Sequence, residues 1–289
     1  MKVRTAVFPV AGLGTRLLPA TKAMPKEMIT LIDRPLIQYA VQEVIDAGVE
    51  RVVFISARSK RALEDHFDRT PELEYQLEES GKDEVLEDMR RLSFMCDITY
   101  VRQKEPLGLG HAVLCAKDVI GKEPFAVILP DDIIMSKKPV TQQLIENYNK
   151  TGRSVVSLME VPAEDTSKYG IVELGEQADK GLFRLDGMVE KPKSNPPSNM
   201  AIIGRYILTP EIMESLEKTQ AGSGGEIQLT DAILEVAKKD GVYGYLFEGQ
   251  RFDCGNMYGL FEAVVHFALE RDDMRDFAVE VLKNASSKY

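Results

Sequence analysis

Short apolar segments that alternate with helical segments are the feature that most constrains the fold of this chain. Residues 3–10, 51–56 and 125–129 (VRTAVFPV, RVVFIS and FAVIL) are short and rich in apolar residues, a pattern that predicts buried strands. Residues 35–47 have the apolar spacing of a helix, and Gly48 is a typical C-terminal stop. The alternation predicts an α/β fold with a largely parallel sheet covered by helices on both faces.

The second half of the chain has a less regular pattern. Proline and serine cluster at residues 192–198, which indicates an exposed loop rather than a linker, so we expect one domain over residues 1–289. Residues 226–239 have helical spacing, and residues 257–289 form a helical C-terminal tail with apolar residues on more than one face. We expect this tail to cap the core or to form a subunit contact. Strand patterns occur at residues 154–160, 170–174, 182–189 and 200–207.

Composition excludes several classes of protein. The net charge is −10, whereas general nucleic-acid binding requires a basic surface. No apolar run approaches the ~18 residues of a spanning helix, and the N-terminus lacks a secretory signal pattern, so we expect a cytoplasmic protein that does not enter a membrane. Three cysteines without CxxC spacing argue against a disulfide framework or a zinc site. Three histidines show no ligand spacing, and we expect His66, His111 and His266 to be structural or surface residues.

A glycine-rich loop follows the first predicted strand. Gly12 and Gly14 allow backbone N–H groups to approach an anion closely. The loop lacks the GxxxxGK[ST] pattern of a Walker A motif, and Leu17 stands where a dinucleotide fingerprint has its third glycine. Arg16 and Lys26 in the same loop suit a triphosphate. The loop alone fits a phosphate site and a tight turn with solvated basic residues equally well.

Acidic residues follow two further apolar segments. Asp131 and Asp253 each lie after a strand pattern and a short break, and carboxylate oxygens are ligands that Mg²⁺ accepts together with substrate phosphates. Taken singly, Asp131 and its neighbour Asp132 are more typical of a turn or a helix cap, and the metal interpretation gains support only from the glycine-rich loop. Glu190 and Lys191 also end a strand pattern, where the lysine suits a phosphate and the glutamate suits sugar hydroxyls, although a solvated surface pair has the same sequence.

The combination of these motifs resembles the sugar-1-phosphate nucleotidyltransferases. The run AGLGTRLLPATKAMPKEM is similar to the signature loop of that family, and seven further runs follow in the family's order over nearly the whole chain. They are RQKEPLGLGHAVLCAK, VILPDDI, YGIV, VEKP, AIIGRYIL, GEIQLTDAI and FDCGN. The resemblance implies a Rossmann-like three-layer α/β fold with a mixed, mainly parallel central sheet, of the nucleotide-diphospho-sugar transferase type.

The resemblance also implies a role for each matching residue. Catalytic roles fall to four of them, and two aspartates are expected to hold Mg²⁺. The expected catalytic residues are Arg16, Lys26, Asp131 and Lys191, with Arg16 and Lys26 on the triphosphate. The expected nucleotide contacts are Ala11, Gly12, Gly14, Thr15, Glu27, Gln103 and Gly108, the last two on the uracil edge. The expected sugar-phosphate contacts are Gly170, Glu190 and Lys191, and the expected metal ligands are Asp131 and Asp253.

The family's chemistry needs no general base, which agrees with the absence of a catalytic histidine or serine pattern. The resemblance implies UTP and glucose 1-phosphate as substrates, Mg²⁺ as cofactor, and a homodimer or homotetramer. Two alternatives stay open. A thymidylyltransferase differs by a single methyl group on the base, worth about 1–3 kcal/mol of discrimination. A non-catalytic nucleotide-sugar sensor could have the same fold.

Overall fold

The computed structural model describes residues 1–222 and 225–288, and thirteen strands occur in this part of the chain. Most strands coincide with the apolar runs that predicted them, because a short β-branched run fits the half-buried surface of a sheet. The strands are β1 Thr5–Pro9, β2 Thr30–Leu31, β3 Arg34–Pro35, β4 Arg51–Ser56, β5 Asp97–Arg102, β6 Phe125–Ile128, β7 Asp132–Met135, β8 Val155–Glu160, β9 Gly170–Asp179, β10 Leu182–Glu190, β11 Met200–Leu208, β12 Tyr243–Leu246 and β13 Gln250–Asp253.

Eleven α-helices lie between these strands in the described residues. The helices are α1 Leu36–Asp46, α2 Arg61–Phe67, α3 Pro71–Glu79, α4 Asp83–Ser93, α5 Leu109–Leu114, α6 Lys117–Ile120, α7 Val140–Thr151, α8 Glu211–Lys218, α9 Leu229–Asp240, α10 Met257–Glu270 and α11 Arg275–Ser286. No helix within residues 1–222 and 225–288 combines the length and the apolar content that a membrane crossing requires.

Nine strands form one mixed sheet in the order β5-β4-β1-β6-β11-β8-β12-β10-β9. Four neighbouring strands from the first half of the chain, β5, β4, β1 and β6, pair parallel. The second half adds one parallel pair, β12 with β8, and otherwise pairs antiparallel. A tight turn at Gly181, with φ +72°, joins β9 and β10 and makes that pair antiparallel. The mixed sheet confirms the predicted fold class, with the parallel part confined mainly to the first half.

Helices cover both faces of this sheet. In β1, the side chain of Val7 packs with α5, α8 and α9, whereas Ala6 and Phe8 pack on the opposite face with α1 and α7. Alternate residues of one strand therefore enter two separate cores, as the strand geometry requires. The fully buried strand β6, residues 125–128, behaves in the same way, which explains why it lacks the alternation of an exposed strand.

A small two-stranded sheet, β7 with β13, brings two distant parts of the chain together. Asp132 is paired with Asp253 in its register. Phe252 and Ile133 pack with Leu36 and Ala263 in a third core under α10. Asn256 caps α10 by accepting hydrogen bonds from the N–H groups of the first turn. The predicted tail is helical, but residues 271–274 divide it into α10 and α11, because Arg271 leaves the helical conformation with ψ of 126°.

Candidate active site

The loops after β1, β4, β5 and β6 meet at one edge of the sheet. The N–H of Val10 donates to the carbonyl of Ile55 at 3.0 Å, and the N–H of Gln103 donates to the carbonyl of Ser56 at 2.8 Å. The carboxyl ends of neighbouring parallel strands are where open α/β sheets bind ligands. A cleft of about 790 Å³ opens here, lined among others by Arg16, Asp131, Tyr169, Glu190, Lys191, Thr230, Arg251 and Asp253.

The glycine-rich loop wraps tightly beneath Lys26. Gly14 adopts φ +67°, and a Cβ at that position would lie 3.0 Å from the Cβ of Lys26. The hydroxyl of Thr21 donates to the carbonyl of Gly14 at 2.8 Å and closes the loop. Leu17 is buried as an anchor, while Arg16 stays about two-thirds exposed with its guanidinium toward the cleft. These contacts fix the conformation of the loop, which directs the Arg16 guanidinium toward the cleft.

Lys26 and Asp131 form an ion pair at the floor of the cleft. The ammonium of Lys26 donates to Oδ2 of Asp131 at 2.6 Å. Burial favours the neutral form of the aspartate, but the nearby ammonium outweighs it and holds the pKa of Asp131 below its ordinary value. The pKa of Lys26 is raised, because Asp131 outweighs the effect of burial on the ammonium. Both groups are therefore charged at neutral pH.

Asp131 and Asp253 converge on one small space. A Cβ built on Gly255 would lie 2.9 Å from Oδ2 of Asp131, 3.0 Å from Oδ1 of Asp253 and 3.0 Å from Arg16. The guanidinium of Arg16 lies 3.9 Å from Asp131 and 4.0 Å from Asp253. Within residues 1–222 and 225–288, no group of three or more His, Cys, Asp or Glu side chains is arranged to hold a metal ion, so this site offers two carboxylates and no more. Mg²⁺ is usually bound by one or two carboxylates together with substrate phosphates and water, and not by protein ligands alone. Two carboxylates that leave room for phosphate oxygens therefore fit Mg²⁺.

Arg251 joins this acidic space to the opposite wall of the cleft. Its Nε donates to Oδ1 of Asp132 at 2.6 Å, and its Nη1 donates to the hydroxyl of Tyr169 at 2.9 Å. Its guanidinium also stacks 5.2 Å from the centre of the Tyr169 ring. Sequence reasoning did not select Arg251, although its strand β13 alternates and so places it on the same face as Asp253.

Gly170, Glu190 and Lys191 form the far end of the cleft. Gly170 and Glu190 are paired in the register of β9 and β10, and a Cβ on Gly170 would lie 3.1 Å from the Glu190 carboxylate. The hydroxyl of Thr230 donates to that carboxylate at 2.6 Å. Lys191 adopts φ +45°, an uncommon conformation for a residue other than glycine, and its N–H donates to the carbonyl of Tyr169 at 2.9 Å. This strained turn directs the chain past the cleft; sequence reasoning did not select Thr230.

Gln103 and Gly108 lie together beyond β5, away from the aspartates. The side-chain amide of Gln103 donates to the carbonyl of Gly108 at 3.2 Å. Gly108 adopts φ +100°, and a Cβ there would lie 2.8 Å from the Cβ of Glu226 and 2.9 Å from the carbonyl of Ile227. Only glycine therefore fits this position. The structure brings together the pair of residues that the sequence associated with the base.

Glu27 occupies a different environment from the rest of the glycine-rich loop. Its side chain is fully buried and accepts a hydrogen bond from the ammonium of Lys60 at 2.8 Å. Burial raises the pKa of Glu27, and Lys60 opposes that effect. Because its side chain is fully buried, Glu27 has no surface for the expected nucleotide contact in this conformation. Its charged partner Lys60 stands immediately before α2. Sequence reasoning missed Lys60, which carries no motif.

Known proteins resemble the chain over nearly its whole length. The family model described as nucleotidyl transferase matches residues 6–269. A UTP–glucose-1-phosphate uridylyltransferase of Bacillus subtilis strain 168 is 49% identical over 288 residues, which cover 99% of this chain and 98% of that protein. A UDP-glucose pyrophosphorylase crystallised with UDP-glucose is 44% identical with a TM-score of 0.85, over 93% of this chain and 100% of that one. A UTP-bound enzyme of that name from Acinetobacter baumannii is 40% identical with a TM-score of 0.90, over 97% and 99%.

Proposed function

This chain belongs to the nucleotidyl transferase family, and we propose that it joins UTP to glucose 1-phosphate to give UDP-glucose and pyrophosphate. Relatives similar over their full length act on or bind those compounds by name. The observation that carries the proposal is the shared cleft, which is lined by Arg16, the two aspartates, Glu190 and Lys191. Lys26 is paired with Asp131 beneath it. A triphosphate on the cations would lie beside a sugar phosphate on Lys191.

The proposed reaction needs positioning and charge neutralisation. An oxygen of the glucose 1-phosphate phosphate attacks the α-phosphorus of UTP, a new P–O bond forms, and the bond to pyrophosphate breaks with its electrons on the leaving group. The attacking phosphate is already anionic at neutral pH, so no proton needs to be removed. Lys191 would hold the attacking phosphate, and Arg16 and Lys26 would bind the negative charge that moves to pyrophosphate.

We propose that Asp131 and Asp253 hold Mg²⁺ during this reaction. Their carboxylate oxygens surround the space above Gly255, and both are partly exposed to the cleft, so the donor set suits a hard cation that keeps substrate and water ligands. A bound Mg²⁺ would neutralise phosphate charge and favour in-line geometry. Lys26 and Arg16 contact these same carboxylates, so binding of a cation by the aspartates would free both residues for phosphate oxygens.

The test is the release of pyrophosphate with Mg²⁺ and both substrates present. We expect release with UTP and glucose 1-phosphate, and loss of most turnover in Asp131→Asn with the fold retained. Asp118→Asn, on an exposed aspartate of α6, is the matched control and should keep full activity. Binding of UTP without release of pyrophosphate would instead indicate a non-catalytic sensor, and near-normal turnover of Asp131→Asn would contradict the metal role.

Initial rates with UTP, dTTP, CTP and ATP against glucose 1-phosphate test the choice of nucleotide. We expect UTP to be preferred over dTTP by a modest factor, since a methyl group contributes about 1–3 kcal/mol to discrimination. A clear preference for dTTP would replace the uridylyl assignment with a thymidylyl one.

We further propose that the chain is a single domain that assembles as a homodimer or homotetramer through the helical tail. Exposed apolar side chains on α10 and α11 support this proposal, and the most exposed are Met257, Tyr258, Phe261 and Phe277. Three of these residues lie within five consecutive positions of α10, and such a concentration of exposed apolar side chains is typical of an interaction site. Light scattering on the purified protein measures the assembly, and a monomer at micromolar concentration would contradict it.

A further inference from the structure

His111 contacts Gln103, the residue that the family resemblance assigns to the nucleobase. Its Nδ1 lies 2.9 Å from the Nε2 of Gln103, and that same Nε2 lies 3.2 Å from the carbonyl oxygen of Gly108. The imidazole is carried by α5, one turn after Gly108. Gln103 itself is buried, with its backbone N–H bonded to the end of β4. The side-chain amide of Gln103 is therefore held by two contacts, and its backbone by a third.

These contacts fix which way the amide faces. A backbone carbonyl can only accept a hydrogen bond, so the NH₂ group of Gln103 must point at Gly108. The neutral imidazole then accepts the second N–H at Nδ1 and carries its own proton on Nε2, which faces the sulfur of Cys115 at 4.0 Å. Both N–H bonds of the amide are used within the protein. Oε1 has no donor among the described residues.

We propose that His111 is a positioning residue that sets the base specificity of the nucleotide site by presenting Oε1 of Gln103 as an acceptor. This inference rests on the proposed function only for the location of the base. An acceptor selects a pyrimidine with an N–H at ring position 3, as in uracil and thymine. Cytosine has a lone pair at that position, so two acceptors would face each other.

The sequence around His111 does not reveal this function. A histidine without ligand spacing is normally a structural residue. The side-chain contacts of His111 are with Gln103 and Cys115, and not with the aspartates or the basic residues of the cleft. Its effect passes through one hydrogen bond to the Gln103 amide. The replacement His111→Leu removes the acceptor and leaves Gly108 as the single anchor of the amide, whereas His111→Asn keeps an acceptor near the position of Nδ1.

The test compares the dissociation constants of UTP and CTP by calorimetry, together with kcat/KM for both nucleotides. We expect the CTP-to-UTP ratio of dissociation constants to fall roughly tenfold in His111→Leu, the effect of one buried hydrogen bond, and to recover in His111→Asn. His66→Leu, on α2 outside the cleft, is the matched control and should leave the ratio unchanged. His111→Met serves as a second acceptor-poor variant if the leucine protein does not fold.

The outcomes separate this inference from the proposed function. A ratio within about twofold of wild type in a folded His111→Leu or His111→Met protein would overturn the role of His111, since that change is smaller than a hydrogen bond contributes. A loss of selectivity that His111→Asn does not restore would overturn it as well. If the wild-type protein binds UTP but releases no pyrophosphate, the proposed reaction fails while the binding ratios still decide the role of His111.

Discussion

Replacement of Arg205 by methionine should destabilise the protein and disturb the site at the same time. The guanidinium of Arg205 is almost completely buried and pairs with the Glu43 carboxylate at 2.7 Å. It also donates to the carbonyls of Leu129 at 3.1 Å and Asp132 at 2.8 Å. Those two carbonyls flank Asp131, so one arginine holds the turn that carries the proposed metal ligand.

The loss of folding stability in Arg205→Met can be worked out from the polar groups that lose their hydrogen-bond donor. Methionine fills a similar volume but donates no hydrogen bond, so Glu43 would keep only its contacts from Thr141, at 2.7 Å and 3.0 Å. Breaking a buried ion pair by removing one partner costs about 3–5 kcal/mol of folding stability. The freed carbonyls add to this cost unless water reaches them, so we expect a loss at the upper end, about 5 kcal/mol.

Urea unfolding followed by circular dichroism measures this loss, and pyrophosphate release measures the effect on the site. A double-mutant cycle with Glu43→Leu separates the contribution of the ion pair to stability from that of the hydrogen bonds to the carbonyls. We expect the double variant to be more stable than Arg205→Met, because it no longer contains an unpaired buried carboxylate. Arg61→Met, at an exposed arginine of α2, is the matched control and should change stability by no more than about 0.5 kcal/mol.

A loss below about 1 kcal/mol in Arg205→Met would refute the reasoning, since it would mean that the Glu43 carboxylate is readily solvated in the folded state. A double variant that is less stable than either single variant would likewise show that the pair contributes more than its replacement by apolar packing.

Three further predictions concern two residues of the cleft and the pH dependence of the Glu43–Arg205 pair. Lys191→Ala should raise KM for glucose 1-phosphate at least about tenfold while Lys193→Ala does not, because only Lys191 borders the cleft; equal KM values would contradict this assignment. Gly255→Ala should keep the fold but reduce Mg²⁺-dependent turnover, because its methyl group would enter the space between the carboxylates, and titration of activity with Mg²⁺ tests it. Burial favours a neutral Glu43, but Arg205 outweighs it and lowers its pKa below the ordinary value of 4.5. The pair therefore stabilises the fold above pH 4.5, and that stability should disappear as pH falls through the lowered pKa, a slope that Glu43→Gln should reduce in acid unfolding.

The sequence predicted the positions of most strands of the large sheet in both halves of the chain, but it predicted the pairing only of the parallel first half. Strands β1, β4 and β6 coincide with apolar runs because each strand is buried on both faces of the sheet, and such strands are continuously apolar in sequence. No expectation covered helices α7 and α8, although each buries apolar residues at helical spacing: Val140, Leu144 and Tyr148 in α7, and Ile212, Met213 and Leu216 in α8. The sequence also did not indicate how the strands of the second half pair, because the order of strands depends on contacts between distant segments.

For the candidate site, the sequence by itself determined the chemistry that is available: a glycine-rich loop with cations, two aspartates, and a glutamate followed by a lysine, in the order of one family. Only the tertiary structure decided which residues support them. Arg205, Arg251 and Lys60 carry no motif, and their partners Glu43, Asp132 and Glu27 lie 162, 119 and 33 residues away along the chain. Burial of a charge depends on what the folded chain places around it. A local pattern therefore identifies the groups proposed to meet the substrate, while the charges that hold those groups in place become visible only when distant segments pack together.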